Sequence, residues 1–181
     1  MNYGFIKVAA STPLLKVADT EYNSDRIIEV IKNANNQGVK IVVFPELSIT
    51  SASCGDMFTK NTLLSSARAS LKKIIDETKD ISLLTIVGLP IVVKGKIYNC
   101  SVACQYGKIL CIIPKRDLTN QERRWFTSGC DVDITTTLCG QSVVMKDKAV
   151  LSFQEFTLSV ALGNDILRGN YSSEIIAVPY V

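Results

Sequence analysis

The sequence predicts an α/β fold with an antiparallel extension, and three observations carry that expectation. Two long segments with a 3.6-residue apolar period alternate with short, continuously apolar runs through the first half. The second half turns to apolar runs broken by Gly-containing turns. A length of 181 residues at 47% hydrophobic and 20% charged suits one domain, residues 1–181, that buries roughly 70% of its unfolded surface.

The elements follow in order. Residues 5–10 are apolar apart from Lys7 and stop at Ser11-Thr12-Pro13, as a strand would. Ser24 is the expected N-cap of a helix whose Ile27, Ile28, Ile31 and Ala34 share one face, with Gly38 as its stop. Residues 41–44 are apolar throughout and β-branched up to Val43, the pattern of a strand buried on both faces. Leu63, Leu64, Ala67, Leu71, Ile74 and Ile75 keep the helical period again. Residues 83–87 then read as a strand ended by Gly88-Leu89-Pro90. After this β-α-β-α-β half, which predicts parallel strands, come strands at 91–93, 97–104 and 109–113. Their separators, Lys94-Gly95-Lys96 and Gln105-Tyr106-Gly107-Lys108, are hairpin turns. A further hairpin is expected from 142–145 and 149–153 around Lys146-Asp147-Lys148, and the last strands at 156–162 and 175–178. Neither G-x-G-x-x-G nor G-x-x-x-x-G-K-[ST] occurs, so no phosphate-cradling loop is indicated.

Composition removes several chemistries. Histidine is absent, which excludes Ser-His-Asp and Cys-His catalysis and any His-containing zinc site. Catalysis must rest on Lys, Cys, Tyr and carboxylates, and neither a cofactor nor a metal is expected. Twenty Lys+Arg against 17 Asp+Glu leave +3, too balanced for a nucleic-acid partner. No run approaches the ~20 apolar residues of a membrane helix, and the N-terminus lacks a secretory pattern. Cys54, Cys100, Cys104, Cys111, Cys130 and Cys139 form no C-x-x-C pair and read as reduced thiols of a cytoplasmic protein.

Glu46 directly follows an apolar strand, where α/β proteins build their sites. A carboxylate held against an apolar strand end has its pKa raised by desolvation, which makes a general base. Lys115 stands in the equivalent place after Cys111-Ile112-Ile113-Pro114. If the two meet at one sheet edge, the lysine orients the base and stabilises a developing oxyanion. Gln121-Glu122-Arg123-Arg124-Trp125-Phe126 is the most basic stretch with Lys115-Arg116 and reads as the start of a surface helix.

These residues carry a resemblance. Residues 1–10 resemble the N-terminus of glutamine-dependent NAD synthetases, whose first domain is a nitrilase-family (carbon–nitrogen hydrolase) glutaminase. Phe44-Pro45-Glu46-Leu47-Ser48-Ile49-Thr50 is similar to that family's glutamate motif, and Cys54-Gly55-Asp56-Met57-Phe58 to the stretch after it. Val87-Gly88-Leu89-Pro90, Gly95-Lys96-Ile97-Tyr98-Asn99-Cys100 and Gly107-Lys108-Ile109-Leu110 keep the order. Pro114-Lys115 resembles the lysine motif, and Glu122-Arg123-Arg124-Trp125-Phe126 the segment downstream of it.

The resemblance implies a nitrilase-like α-β-β-α sandwich, here truncated at the C-terminus, with Glu46 as base, Lys115 as the lysine and Glu122 as the supporting glutamate. The family's nucleophilic cysteine has no counterpart: in residues 159–167 Asp165 matches, but the cysteine position holds Gly163. Glycine offers no attacking atom, so acyl transfer there is excluded. Cys54, shortly after Glu46, is the least unsuitable substitute, and nothing in the sequence aims it at Glu46. The loop between Lys115 and Glu122 is also short, residues 116–121. The expectation is an inactive binding or regulatory homologue of the glutaminase domain. The rivals are an amidase or glutaminase using an unorthodox or partner-supplied nucleophile, and a binder of a small amide in the old pocket. An incomplete sheet leaves an apolar edge, so a homodimer or a complex with a longer nitrilase-family or NAD synthetase chain is expected.

Overall fold

Strand direction explains why distant residues meet here. The computed structural model describes residues 5–153 and 156–168. The strands are β1 (Val8–Ala10), β2 (Ile41–Val43), β3 (Leu84–Val93), β4 (Lys96–Gln105) and β5 (Lys108–Pro114). They continue with β6 (Asp133–Leu138), β7 (Gln141–Lys146), β8 (Val150–Ser152) and β9 (Thr157–Ser159). Helix α1 (Thr20–Asn36) joins β1 to β2, and α2 (Asn61–Glu77) precedes β3. A seven-stranded mixed sheet runs β1-β2-β3-β4-β5-β7-β6, and β8 and β9 pair in a second sheet. β1, β2 and β3 are parallel, and β4 is antiparallel to both β3 and β5. β2, β3 and β5 therefore point the same way, and the loops after β2 and β5 leave at one edge.

Side-chain alternation sorts the two sheet faces. Val42, Val87, Leu89, Cys100, Val102, Ile112 and Met145 pack against Ile27, Ile31, Leu71 and Ile74 of the helices. Their neighbours Ile41, Val43, Leu84, Ile86, Ala103, Cys111 and Ile113 face the other way, against Leu158, Val160 and Leu162. The order of layers is helix pair, seven-stranded sheet, two-stranded sheet. Each fully buried Leu or Ile contributes about 1.5–3 kcal/mol, so both faces are strong determinants of register. Among the described residues no helix is long and apolar enough to cross a membrane.

Three expectations need correction. Helix α1 begins before Ser24: Asp19 is the N-cap, accepting from the Tyr22 amide at 3.1 Å. Asn23 and Ser24 are buried, and Asn23 bonds the Lys16 and Ile49 carbonyls, so polar anchoring extends the helix past its apolar period. Gly88-Leu89-Pro90 does not end a strand, because β3 runs on to Val93. β2 pairs only with Leu84 to Ile86, so Pro90 sits where β3 has a strand on one side alone, a position that tolerates proline. Residues 142–145 and 149–153 do not form a hairpin: β7 pairs with β6, and β8 with β9. The turn lies at Cys139-Gly140 instead, while Asp147 is buried and accepts from the Asp131 amide. Strand β6 escaped the sequence reading because its Asp-Ile-Thr-Thr-Thr-Leu pattern is that of a half-exposed edge. The strand expected at 175–178 lies outside the described residues.

Candidate active site

Glu46 leaves β2 through Phe44, whose amide still bonds Ile86 O at 2.9 Å. The loop then turns at Leu47, which takes φ 54°. It lies flat on β3 at Gly88, with Ile49 N on Gly88 O at 3.1 Å and Gly88 N on Ser48 Oγ at 3.2 Å. A side chain at 88 would meet Leu47 N, and Pro45 O at 2.6 Å, so only glycine admits this close approach. Lys115 prolongs β5 by one bond, its amide on Asn99 O at 2.8 Å. Glu122 is fixed by reciprocal bonds with Thr119: Thr119 N donates to Glu122 Oε2 at 2.8 Å and Glu122 N to Thr119 Oγ1 at 3.2 Å. Thr119-Asn120-Gln121-Glu122 is thus a capping box opening a short 3₁₀ turn, Glu122–Arg124.

The structure brings the three together. Lys115 Nζ donates to Glu46 Oε1 at 3.2 Å, Glu46 Oε2 at 2.9 Å and Glu122 Oε1 at 2.8 Å. Asn99 Nδ2, on β4 between the two loops, donates to Glu46 Oε2 at 2.7 Å. Burial works against the Lys115 ammonium, but its bonds to Glu122 and Glu46 outweigh this and hold its pKa above the ordinary lysine value. Burial likewise opposes the Glu122 carboxylate, and the Lys115 and Thr119 donors hold it below the ordinary value. Both shifts say that the lysine is charged and Glu122 ionised at neutral pH.

Position 163 faces this cluster. Gly163 opens a 3₁₀ turn, Gly163–Arg168, soon after β9 and takes φ +48°. A Cβ placed on it would lie against Glu46 Oε1, 2.8 Å from Lys115 Nζ and 3.4 Å from Lys115 Cε. The turn is pinned there by Asp165, which is buried and accepts from Arg116 N and Asp117 N, the latter at 2.6 Å. Burial raises the Asp165 pKa, with those two amides opposing the shift. Gly163 thus presents bare backbone, with no side chain, to the Glu46–Lys115 pair.

Cys54 does not fill the gap. Its thiol points to the carbonyls of Thr50 at 3.0 Å and Ser51 at 3.4 Å, within a cluster of Leu47, Phe58 and Leu118. Burial pushes its pKa up, which suits a structural thiol and not a nucleophile. All six cysteines carry free thiols, and burial pushes Cys111 up to about 12. The sequence singled out neither Asn99 nor Thr119 for the site, and it read Gly88 only as a strand end. The capping-box spacing of Thr119 and Glu122 was a readable signal for one of them.

Glu46 and Glu122 open on a cavity of about 560 Å³ that Leu47, Phe58, Trp125 and Phe126 also line. Trp125 Nε1 donates to Asp56 Oδ1 at 2.8 Å, and Phe58 packs on both aromatic neighbours, which fixes that wall.

Known proteins place these features. A glutamine-dependent NAD(+) synthetase from Mycobacterium tuberculosis is 28% identical over 132 residues, covering 71% of this chain and 19% of that protein. The chain thus spans about a fifth of the length of the curated relatives it matches. The fold matches a glutamine-dependent NAD(+) synthetase from Cytophaga hutchinsonii with a TM-score of 0.78 at 24% identity, over 86% of this chain and 27% of that one. It also matches the NitN amidase from Nesterenkonia sp. AN1 with a TM-score of 0.68 at 18% identity, over 87% of this chain and 56% of that one. The model of the family described as carbon-nitrogen hydrolase matches residues 7–153, and the chain belongs to that family.

Proposed function

We propose that this chain is a carbon-nitrogen hydrolase homologue that binds a small ligand at Glu46, Lys115 and Glu122 without hydrolysing amides. One observation carries the reading. The backbone position that faces Glu46 and Lys115 is Gly163, and the ion pair occupies the space a side chain would need. Acyl transfer splits an amide by first bonding its carbon to a nucleophile held within reach of the base. Here base and lysine are in place and the attacking atom is missing. The family match ends before Gly163, so its equivalence to the cysteine position rests on this geometry and on Asp165.

The test is ammonia release from glutamine and from butyramide, followed with the purified chain. The expected result is no release above a protein-free blank. Release that disappears in both Glu46→Gln and Lys115→Ala would overturn the proposal.

The same reading has the chain pairing with a second copy or with a longer nitrilase-family or NAD synthetase chain. The support is apolar surface beside the edge strand β1, where Phe5 is 88% and Val8 60% exposed. A clean monomer at micromolar concentration in sedimentation would count against self-association.

A further inference from the structure

A second cavity lies on the helix side of the sheet, away from Glu46. It holds about 340 Å³ between the first half of α2, the end of β3 and the end of β6. That is near the lower end of the roughly 300–1,000 Å³ that ligand cavities occupy. Strand alternation keeps it apart from the Glu46 cluster. Gly88 lies under the Glu46 loop, whereas its neighbours Leu89 and Ile91 pack toward the helices.

The floor is apolar and dry. Leu64, Leu89, Ile91 and Leu138 line it, and each is buried. An alkyl chain seated on such a floor gains about fourfold in affinity for each methylene. One wall is tied in place by Cys139, in the turn after β6, whose thiol donates to Arg68 O at 3.6 Å.

The rim carries a single charge. Among the described residues Arg68 is the one charged residue that lines the cavity. Its guanidinium has no carboxylate partner among them either. The other cations of α2 are taken: Lys72 pairs with Asp76 at 2.8 Å and Lys73 with Asp25 at 2.6 Å. Burial pushes the nearby Cys139 thiol up, and the Arg68 charge opposes that push. Ser65 and Asn61 lie one and two turns before Arg68 on the same face of the helix. The Ser65 hydroxyl donates to Thr62 O at 3.1 Å, so the donors that α2 offers the cavity are Arg68 and Asn61.

These features select a ligand. A guanidinium presents two parallel N–H groups that fit the two oxygens of a carboxylate. One positive charge beside an apolar floor balances a monoanion, whereas a dianion such as phosphate keeps a second charge without a partner. We propose that this cavity binds a small free monocarboxylic acid with a short apolar chain. Its carboxylate sits on Arg68 and Asn61, and its chain on the floor of Leu64, Leu89, Ile91 and Leu138. The proposal does not depend on how the Glu46 cluster is read, because the two cavities share no residue.

The test is an NMR titration of the isotope-labelled chain with isovalerate, isovaleramide, acetate, inorganic phosphate and N-acetylleucine. Isovalerate gives saturable shifts at the amides of Ser65, Arg68 and Leu138, while those of Glu46 and Glu122 stay unmoved. Isovaleramide, of the same shape without the charge, binds at least about tenfold more weakly, the worth of one charge-assisted bond. Acetate is weaker by about fourfold for each carbon it lacks. Arg68→Gln weakens isovalerate at least about tenfold. Ser65→Phe, which fills the cavity and leaves the charge, abolishes saturation. Lys40→Gln removes the same charge from exposed surface elsewhere and changes nothing. Absence of saturation by isovalerate overturns the proposal, as does isovaleramide or phosphate binding equally tightly. So do affinities unchanged in both Arg68→Gln and Ser65→Phe, or shifts centred on Glu46 and Glu122. N-acetylleucine binding more tightly than isovalerate would overturn the free acid in favour of a peptide terminus.

Discussion

Replacing Gly163 by alanine tests the geometry of the site directly. Two penalties apply. The backbone there has φ +48°, and an L-residue held in that left-handed region costs roughly 1–2 kcal/mol. The new methyl would also lie against Glu46 Oε1 and 2.8 Å from Lys115 Nζ, so one partner of the ion pair must move. Displacing a bond between charged groups costs about 1.5–3 kcal/mol. Gly95 supplies the control, because its φ is +74° and nothing lies within 4 Å of the Cβ position. Gly95→Ala therefore carries the strain without the collision. The expected excess of Gly163→Ala over Gly95→Ala is about 1.5–3 kcal/mol in guanidinium unfolding. At this chain length that corresponds to roughly 3–12 °C in melting temperature. Equal penalties for the two variants, within about 0.5 kcal/mol, would refute the packing of position 163 against Glu46 and Lys115.

Other outcomes follow from the same cluster. Lys115→Met leaves two half-buried carboxylates facing each other, so it costs about 3–5 kcal/mol at neutral pH. A loss below about 1 kcal/mol in denaturant unfolding, the size of an exposed pair, would contradict the electrostatic account. The depressed Glu122 pKa contributes stability that is present above about pH 4.3 and lost as pH falls through its folded value. Glu122→Gln should therefore flatten the acid limb of the stability profile. The raised Lys115 pKa contributes stability below about pH 10.4 that is lost as pH rises through its folded value, which alkaline unfolding of Lys115→Met measures. Gly88→Ala pushes the Glu46 loop off β3 at a cost of about 1–3 kcal/mol, read as a lower denaturation midpoint. Iodoacetamide labels exposed Cys130 first and buried Cys54 only as the chain unfolds, which peptide mass mapping resolves.

Local pattern was enough for part of this. Ile27, Ile31, Leu71 and Ile74 announced two helices because a one-sided core imposes a 3.6-residue period. Residues 41–44 announced a buried strand because both its faces are covered. Glu46 and Lys115 stood out because each follows an apolar run and a proline. The sequence also showed at once that position 163 has no nucleophile.

Only the tertiary structure decided the rest. That β2 and β5 run the same way, and so deliver Glu46 and Lys115 to one edge, depends on two antiparallel reversals through β4. No local window encodes such a pairing. The half-exposed β6, the pairing of β8 with β9, and Pro90 inside β3 were hidden for the same reason: partners, not propensity, define them. Gly163 read as a simple absence in the sequence. In the structure it lies against the Glu46–Lys115 pair, a contact that depends on how the turn after β9 returns to the ends of β2 and β5 and that no local window encodes.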